Sequence, residues 1–197
     1  MSREPPHWPK SIRYLSSCQY HASLSHSARS FLQSDPLPQI RLEPQKIRGS
    51  GSKIVIRRIT DDHHPAYGQF GLFAGQKIAA NTFILDYIGE IHSDERPESD
   101  YDLSLHRFQT GESVGVDASH MGNEARFIND YRGVADKPNA IFFDYRIANS
   151  GELRMGVWSQ KDIKKGQEIL VSYGKSFWKS RIANVNEGLS STSVQKQ

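Results

Sequence analysis

From Lys53 onward the chain is a succession of short β-rich segments punctuated by Gly, Asn and Asp, which limits what it can fold into. Lys53–Ile59, Phe70–Ala74, Thr82–Ile91, Ala140–Ile147 and Leu153–Ser159 are rich in β-branched and aromatic residues and read as strands. Lys164-Lys165-Gly166-Gln167 is a turn leading into a last strand, Glu168–Ser172. Helical pattern is confined to a stretch near Glu124–Asn129 and to Lys175–Ala183. Many short strands with few helices make a compact, mostly β body. No internal repeat is visible.

Residues 1–52 read as a partly disordered N-terminal extension and linker. Pro5, Pro6 and Pro9 discourage regular structure, and 12–33 has room for a short helix but no sustained apolar stripe. Pro36, Pro38 and Pro44, then Gly49-Ser50-Gly51-Ser52, form a flexible approach to the body. The body spans 53–182, and 183–197 is a Ser-, Asn- and Gln-rich tail expected to be disordered. The charge divides at the same place. Residues 1–60 hold ten Lys and Arg against three Asp and Glu, whereas 61–197 hold fifteen against nineteen. A basic arm on a mildly acidic body points to weak contact with nucleic acid or an acidic surface. A solvated basic tail is the simpler account, and the Ser- and Arg-containing, acid-poor start also shares the pattern of a transit peptide.

Several chemistries are excluded. The single cysteine, Cys18, rules out a disulfide framework within the chain and a Cys-rich zinc site, and the chain reads as intracellular. No apolar run approaches the roughly 20 residues that span a bilayer, so no membrane role is expected. The adjacent His63 and His64 would point to opposite faces of a strand, and no metal is expected. No Gly-x-Ser-x-Gly elbow, Walker A sequence or complete dinucleotide fingerprint occurs. What remains is a clustering of aromatic residues near Gly and Asn, with Tyr173-Gly174 at a strand end, where a core tyrosine is less expected. Read unaided, the residues give a β-rich domain with an aromatic-lined site.

Three ordered segments go further. The first is Gly68-Gln69-Phe70-Gly71-Leu72-Phe73-Ala74, followed by Ile84-Leu85-Asp86-Tyr87-Ile88-Gly89-Glu90. The second is Val116-Asp117-Ala118, then Gly122-Asn123-Glu124-Ala125-Arg126-Phe127-Ile128-Asn129, with Pro138-Asn139-Ala140 beyond. The third is Lys161-Asp162-Ile163-Lys164-Lys165-Gly166-Gln167-Glu168-Ile169-Leu170, ending in Val171-Ser172-Tyr173-Gly174. In this order and spacing they resemble the SET domain of protein lysine methyltransferases. The resemblance implies a mostly β, β-clip-like fold of several small sheets with a pseudoknot and few short helices. It also implies S-adenosylmethionine as cofactor on one face and a substrate lysine entering by a narrow channel from the other. Phe70, Gly71, Leu72, Tyr101, Arg126, Phe127, Asn129 and Asp130 would hold the cofactor. Tyr173 matches the catalytic tyrosine, and Tyr87, Phe142, Val171, Phe177 and Trp178 would line or cover the channel.

The sequence departs from the family where a histidine usually follows the asparagine. Asp130 stands there, followed by an insertion-like Tyr131–Lys137. The resemblance leaves two classes of function open: an active methyltransferase on a histone or another basic protein, and a catalytically weak SET-like module that binds peptide or protein. The acidic run Asp86, Glu90, Asp94, Glu95, Glu98, Asp100 and Asp102 would attract a basic peptide electrostatically, or be a solvated loop. Apolar Val171 and Phe142 imply di- or trimethylation rather than monomethylation. A histone substrate and the basic stretch Lys46–Arg58 imply a nuclear location, with a cytoplasmic one the alternative.

Overall fold

The computed structural model describes residues 4–34, 54–174 and 177–178. In chain order its strands are β1 (Arg13–Tyr14), β2 (Gln19–Tyr20), β3 (Ile54–Arg58), β4 (Phe70–Ala74), β5 (Phe83–Asp86), β6 (Glu90–His92) and β7 (Asp102–Arg107). They continue as β8 (Ser113–Asp117), β9 (Met121–Gly122), β10 (Asn129–Asp130), β11 (Ala140–Arg146), β12 (Leu153–Ser159) and β13 (Leu170–Val171). One α-helix, α1 (His26–Gln33), and a 3-10 turn at Glu124–Phe127 complete the set. The strands form small sheets: β2-β6-β8-β7, β11-β12-β5, and the pairs β3-β4, β1-β9 and β10-β13.

Phe70–Ala74 and Leu153–Ser159 are strands over the residues expected, and Ala140–Ile147 is one residue shorter. The expected strand Thr82–Ile91 is two. The chain leaves β5 at Asp86, Tyr87 donates its N–H to Met155 O (2.8 Å), and β6 begins in a different sheet at Glu90. This crossing places Tyr87 between sheets, where a channel residue can stand. The helical stretch near Glu124–Asn129 is the 3-10 turn, capped by the Asn123 side chain accepting from Ala125 N.

Residues 4–34, read as extension, pack against the body. β1 runs parallel to β9 and β2 parallel to β6. α1 starts on Ser25, whose Oγ accepts from Ala28 N, and buries Ala28 and Leu32 completely. Its C-terminal carbonyls meet the buried Arg146, which donates to Phe31 O (3.0 Å) and stacks over the Phe31 ring at 4.5 Å. Trp8 packs edge-on against Tyr14 and Phe127, at 5.0 and 5.6 Å between centroids. Composition concealed this because the anchors are isolated apolar residues rather than a periodic stripe. The linker 35–53 and the tail 183–197 lie outside the described residues, as does most of the helical stretch Lys175–Ala183.

β13 is enclosed by main chain on both edges. Tyr131 N donates to Val171 O (2.9 Å) and Asn139 N to Leu170 O (3.0 Å), so the excursion 131–139 passes around it. The Asn139 side chain reinforces the crossing, donating to Glu168 O (2.7 Å) and accepting from Leu170 N (2.8 Å). This is the expected pseudoknot, and it carries Tyr173 to the Arg126–Asn129 segment.

Candidate active site

Two cavities meet at Tyr173. The first, about 530 Å³, is lined by Gly68, Gln69, Phe70, Phe127, Asn129, Asp130, Arg132 and Trp178, with Pro9 and His64 at its edge. The second, about 600 Å³, is lined by Tyr87, Arg96, Pro97, Ser99, Leu103, Ile128 and Phe142. Tyr101, Arg126, Tyr173 and Phe177 border both. Each is of the size that holds a small-molecule ligand.

The shared wall is fixed by main-chain hydrogen bonds. Tyr173 Oη donates to Ile128 O (2.7 Å), and its backbone N–H donates to Asp130 Oδ2 (2.7 Å). Tyr87 Oη donates to Tyr101 O (2.7 Å), with its ring edge-on to Phe142 at 5.5 Å. Arg126 donates from Nε to Ala118 O (3.0 Å) and lays its guanidinium 4.2 Å over the Tyr101 ring. Burial pushes the Tyr173 phenol well above its usual pKa, and the Asp130 carboxylate pushes it further. Burial does the same to Tyr87, with Tyr173 adding to it. Both phenols keep their protons at neutral pH and act as hydrogen-bonding groups, not as phenolate bases.

Asp130 does not leave its carboxylate free for a ligand. Besides Tyr173 it accepts from Arg132 N (2.9 Å), from Arg132 Nη1 (2.7 Å) and, distantly, from Trp178 Nε1 (3.4 Å). The guanidinium of Arg132 stands 4.9 Å over Tyr131 and 5.8 Å from the Trp178 ring.

Phe70, Tyr101, Arg126, Phe127, Asn129 and Asp130 are thus brought to one cavity, and Tyr87, Phe142 and Phe177 to the other. Four residues are not placed as expected. Gly71 and Leu72 are buried in β4, where the Leu72 carbonyl accepts Ile169 N, and Gly68 and Gln69 line the cavity instead. Val171 is fully buried in β13 beside Asp130, so of the two apolar residues implying higher methylation only Phe142 faces the second cavity. Trp178 borders the first cavity rather than the second.

Of the acidic run, most members are engaged. Arg96 binds Glu90 (2.8 Å), Asp94 (3.2 Å) and Asp117 (3.0 Å), Asp102 meets His92 (3.0 Å), and Asp86 meets Arg154 (3.0 Å). Sequence reasoning missed Arg96, Arg132 and His64. The two histidines do diverge, the His63 side chain being 91% exposed and that of His64 7%. His64, however, turns inward to Glu168, a partner 104 residues away that no local pattern discloses.

The first cavity suits S-adenosylmethionine by its chemistry. Phe70, Phe127 and Trp178 offer aromatic surface to an adenine, Arg132 and Arg126 offer cations to a carboxylate, and Asn129 offers an amide oxygen to a donor.

Residues 69–174, more than half of the chain, match the SET domain family. Histone-lysine N-methyltransferase ASHH3 of Arabidopsis thaliana is 31% identical over 110 residues, covering 52% of this chain and 29% of ASHH3. The chain therefore corresponds to less than a third of that relative's length. Among solved structures, ATXR5 in complex with histone H3.1 superposes with a TM-score of 0.63 at 21% identity, covering 84% of this chain and 82% of that one. ctPRC2 bound to S-adenosylmethionine superposes with a TM-score of 0.51 at 27% identity, covering 70% of this chain and 17% of that one.

Proposed function

The chain belongs to the SET-domain family, and from that premise we propose that it is an S-adenosylmethionine-dependent protein lysine N-methyltransferase acting on a histone tail or another basic protein segment. The observation that carries the reading is the pair of cavities sharing the wall of Tyr101, Arg126 and Tyr173. A cofactor in one cavity and a substrate side chain in the other would meet at that wall.

When bound, S-adenosylmethionine supplies an electrophilic methyl carbon on a sulfonium. The protein's part is to deliver a neutral amine to it in line. A free lysine has a pKa of about 10.4, so its nucleophilic form is scarce in water. Tyr87 and Phe142 desolvate the entering side chain and disfavour its ammonium form, so the proton leaves to solvent before the lone pair attacks. The Ile128 and Tyr101 carbonyls hold the Tyr173 and Tyr87 hydroxyls and fix both phenolic oxygens at the junction. Holding the reacting atoms at about 3 Å in line supplies much of the rate.

The likeness to the histone-lysine N-methyltransferase ASHH3 supports a histone substrate, and with it a nuclear location. Weak nucleic-acid contact through the basic arm is part of the same proposal. No helix among the described residues is long and apolar enough to cross a membrane.

A radiolabelled methyl-transfer assay on histones, with Tyr173→Phe as control, tests the reading. Wild type should label a histone, and the variant should lose about 100-fold in turnover while staying folded, its stability lowered by only about 1 kcal/mol for the lost bond to Ile128 O. Absence of heat on titrating S-adenosylmethionine into the wild type would instead identify a SET-like binding module.

A further inference from the structure

Behind the first cavity lies a buried hydrogen-bond chain that the proposed chemistry does not use. Glu168 accepts from two sides: His64 Nε2 reaches its Oε2 (3.0 Å) and Asn129 Nδ2 its Oε1 (2.8 Å). The side chains of His64 and Glu168 are 7% and 8% exposed. The direction of each bond follows from its partners. His64 Nδ1 accepts the backbone N–H of Ala66 (3.0 Å), so the ring's proton toward Glu168 sits on Nε2. A carboxylate with two donors is acceptor only, so Asn129 must turn its NH₂ inward, where Phe70 O also receives it (3.4 Å). The amide oxygen of Asn129 is left without a protein partner among the described residues, on a side chain that lines the cavity.

Gly71 gives this arrangement its space. A Cβ there would stand 2.6 Å from Glu168 Oε1 and 3.2 Å from Asn129 Nδ2, so the glycine admits the pair rather than a ligand.

We propose that Glu168 and His64 are positioning residues for the cofactor: together they fix the Asn129 amide with its oxygen facing the first cavity, ready to accept a hydrogen bond from the bound methyl donor. This rests on the methyltransferase reading above. Neither residue touches the reacting atoms; both act through Asn129.

The test is a swap of hydrogen-bonding roles, read by calorimetry with S-adenosylmethionine. In Glu168→Gln the new amide can accept from only one of its two neighbours and must present N–H to the other. Because His64 is committed to Ala66, Asn129 is the side that flips, and its N–H then faces the cavity. The dissociation constant should rise about tenfold. Adding Asn129→Asp restores the pattern with donor and acceptor exchanged: the amide at 168 donates to the carboxylate at 129 and accepts from His64. The double variant should recover to within about threefold of wild type, which a role in packing alone does not predict. His64→Ala, which leaves the Asn129–Glu168 bond in place, should weaken binding by about threefold, and it decides the matter if Glu168→Gln does not fold. Wild-type affinity in Glu168→Gln or His64→Ala overturns the proposal, and so does a double variant no better than Glu168→Gln. A wild type that binds no S-adenosylmethionine removes the functional reading itself, a failure seen before any variant is made.

Discussion

The carboxylate of Asp130 accepts the backbone N–H of Tyr173 at 2.7 Å across the crossing of β10 and β13. The residue that departs from the family's usual histidine is thereby the one that anchors the main chain of the candidate catalytic tyrosine. It is buried, and it also takes two donors from Arg132. Tyr173, Arg132 and Trp178 are thus organised around one carboxylate.

Asp130→Ala should therefore act on the fold and the chemistry together. It leaves the Tyr173 N–H without its acceptor and frees the Arg132 guanidinium, whose side chain is 38% exposed and rehydrates, so the cost, about 2 kcal/mol, comes mainly from the orphaned N–H. Urea denaturation should show that loss, and methyl transfer should fall with it. Asp130→His, although it restores the family's usual residue, should be no better, because an imidazole cannot accept from all these donors at once. A histidine variant as stable as wild type would contradict this account.

The buried His92 makes stability depend on pH. Its Nε2 faces Asp102 Oδ1 (3.0 Å) and its Nδ1 faces the Asp94 carbonyl (2.9 Å), so both ring nitrogens meet acceptors and the doubly protonated ring satisfies both. Gly115 allows this, since a Cβ there would stand 2.5 Å from Asp102 Oδ1 and 2.8 Å from His92 Nε2. Burial pulls the ring's pKa down and Arg96 does so slightly, but the hydrogen bond and charge of Asp102 prevail and leave it raised above 6.5. A raised pKa in the folded state means stability that is fully present below about pH 6.5 and lost as pH rises through the folded value. The melting temperature of wild type minus that of His92→Gln, followed from pH 5.5 to 8.5, should shrink with pH. A flat difference would refute the assignment.

Electrostatic steering of a basic peptide should be weaker than the acidic run implied. Arg96, His92 and Arg154 engage most of its members in ion pairs, whereas Glu95 and Glu98 are exposed and have no ion pair among the described residues. Reversing both to Lys should raise KM for a histone peptide by about threefold at low salt. The effect should vanish near 0.5 M salt, where screening is complete within a few ångströms. An unchanged KM at low salt would reduce the run to a structural loop.

The strands legible in the sequence were those with several apolar and aromatic residues close together, such as Phe70–Ala74 and Leu153–Ser159. The hairpin β7–β8 escaped because each strand shows only two alternating apolar residues, Leu103 and Leu105, then Val114 and Val116, set among polar residues and glycine. The candidate site was legible where motif order preserved it, as in Tyr173, Arg126 and Asn129, which line the first cavity. His64, Arg96 and Arg132 acquire their roles from partners brought close by the crossing of sheets, and spacing along the chain carries no trace of that. Gly71 and Val171 show the converse: they stand within the matched motifs, but the strands bury them away from the cavities.

The N-terminal segment offers the last test, because it lies before the matched family region at 69–174 and yet supports the wall of the first cavity. Trp8 is buried against Phe127, whose other neighbours are Phe70 at 6.0 Å and the Arg126 guanidinium at 5.1 Å. Its indole N–H is bound to Ile12 O (2.6 Å), so the ring is held in place rather than merely covered. Trp8→Ala removes that support and opens a void, a change that costs about 3 kcal/mol. Phe127 would then lose one side of its packing, and the wall shared by Phe70 and Arg126 would loosen. Denaturation midpoint and affinity for S-adenosylmethionine should fall together, with the KM for a histone peptide less affected, since Phe127 borders only the first cavity. Loss of stability with unchanged cofactor affinity would show that the segment braces the fold without shaping the site.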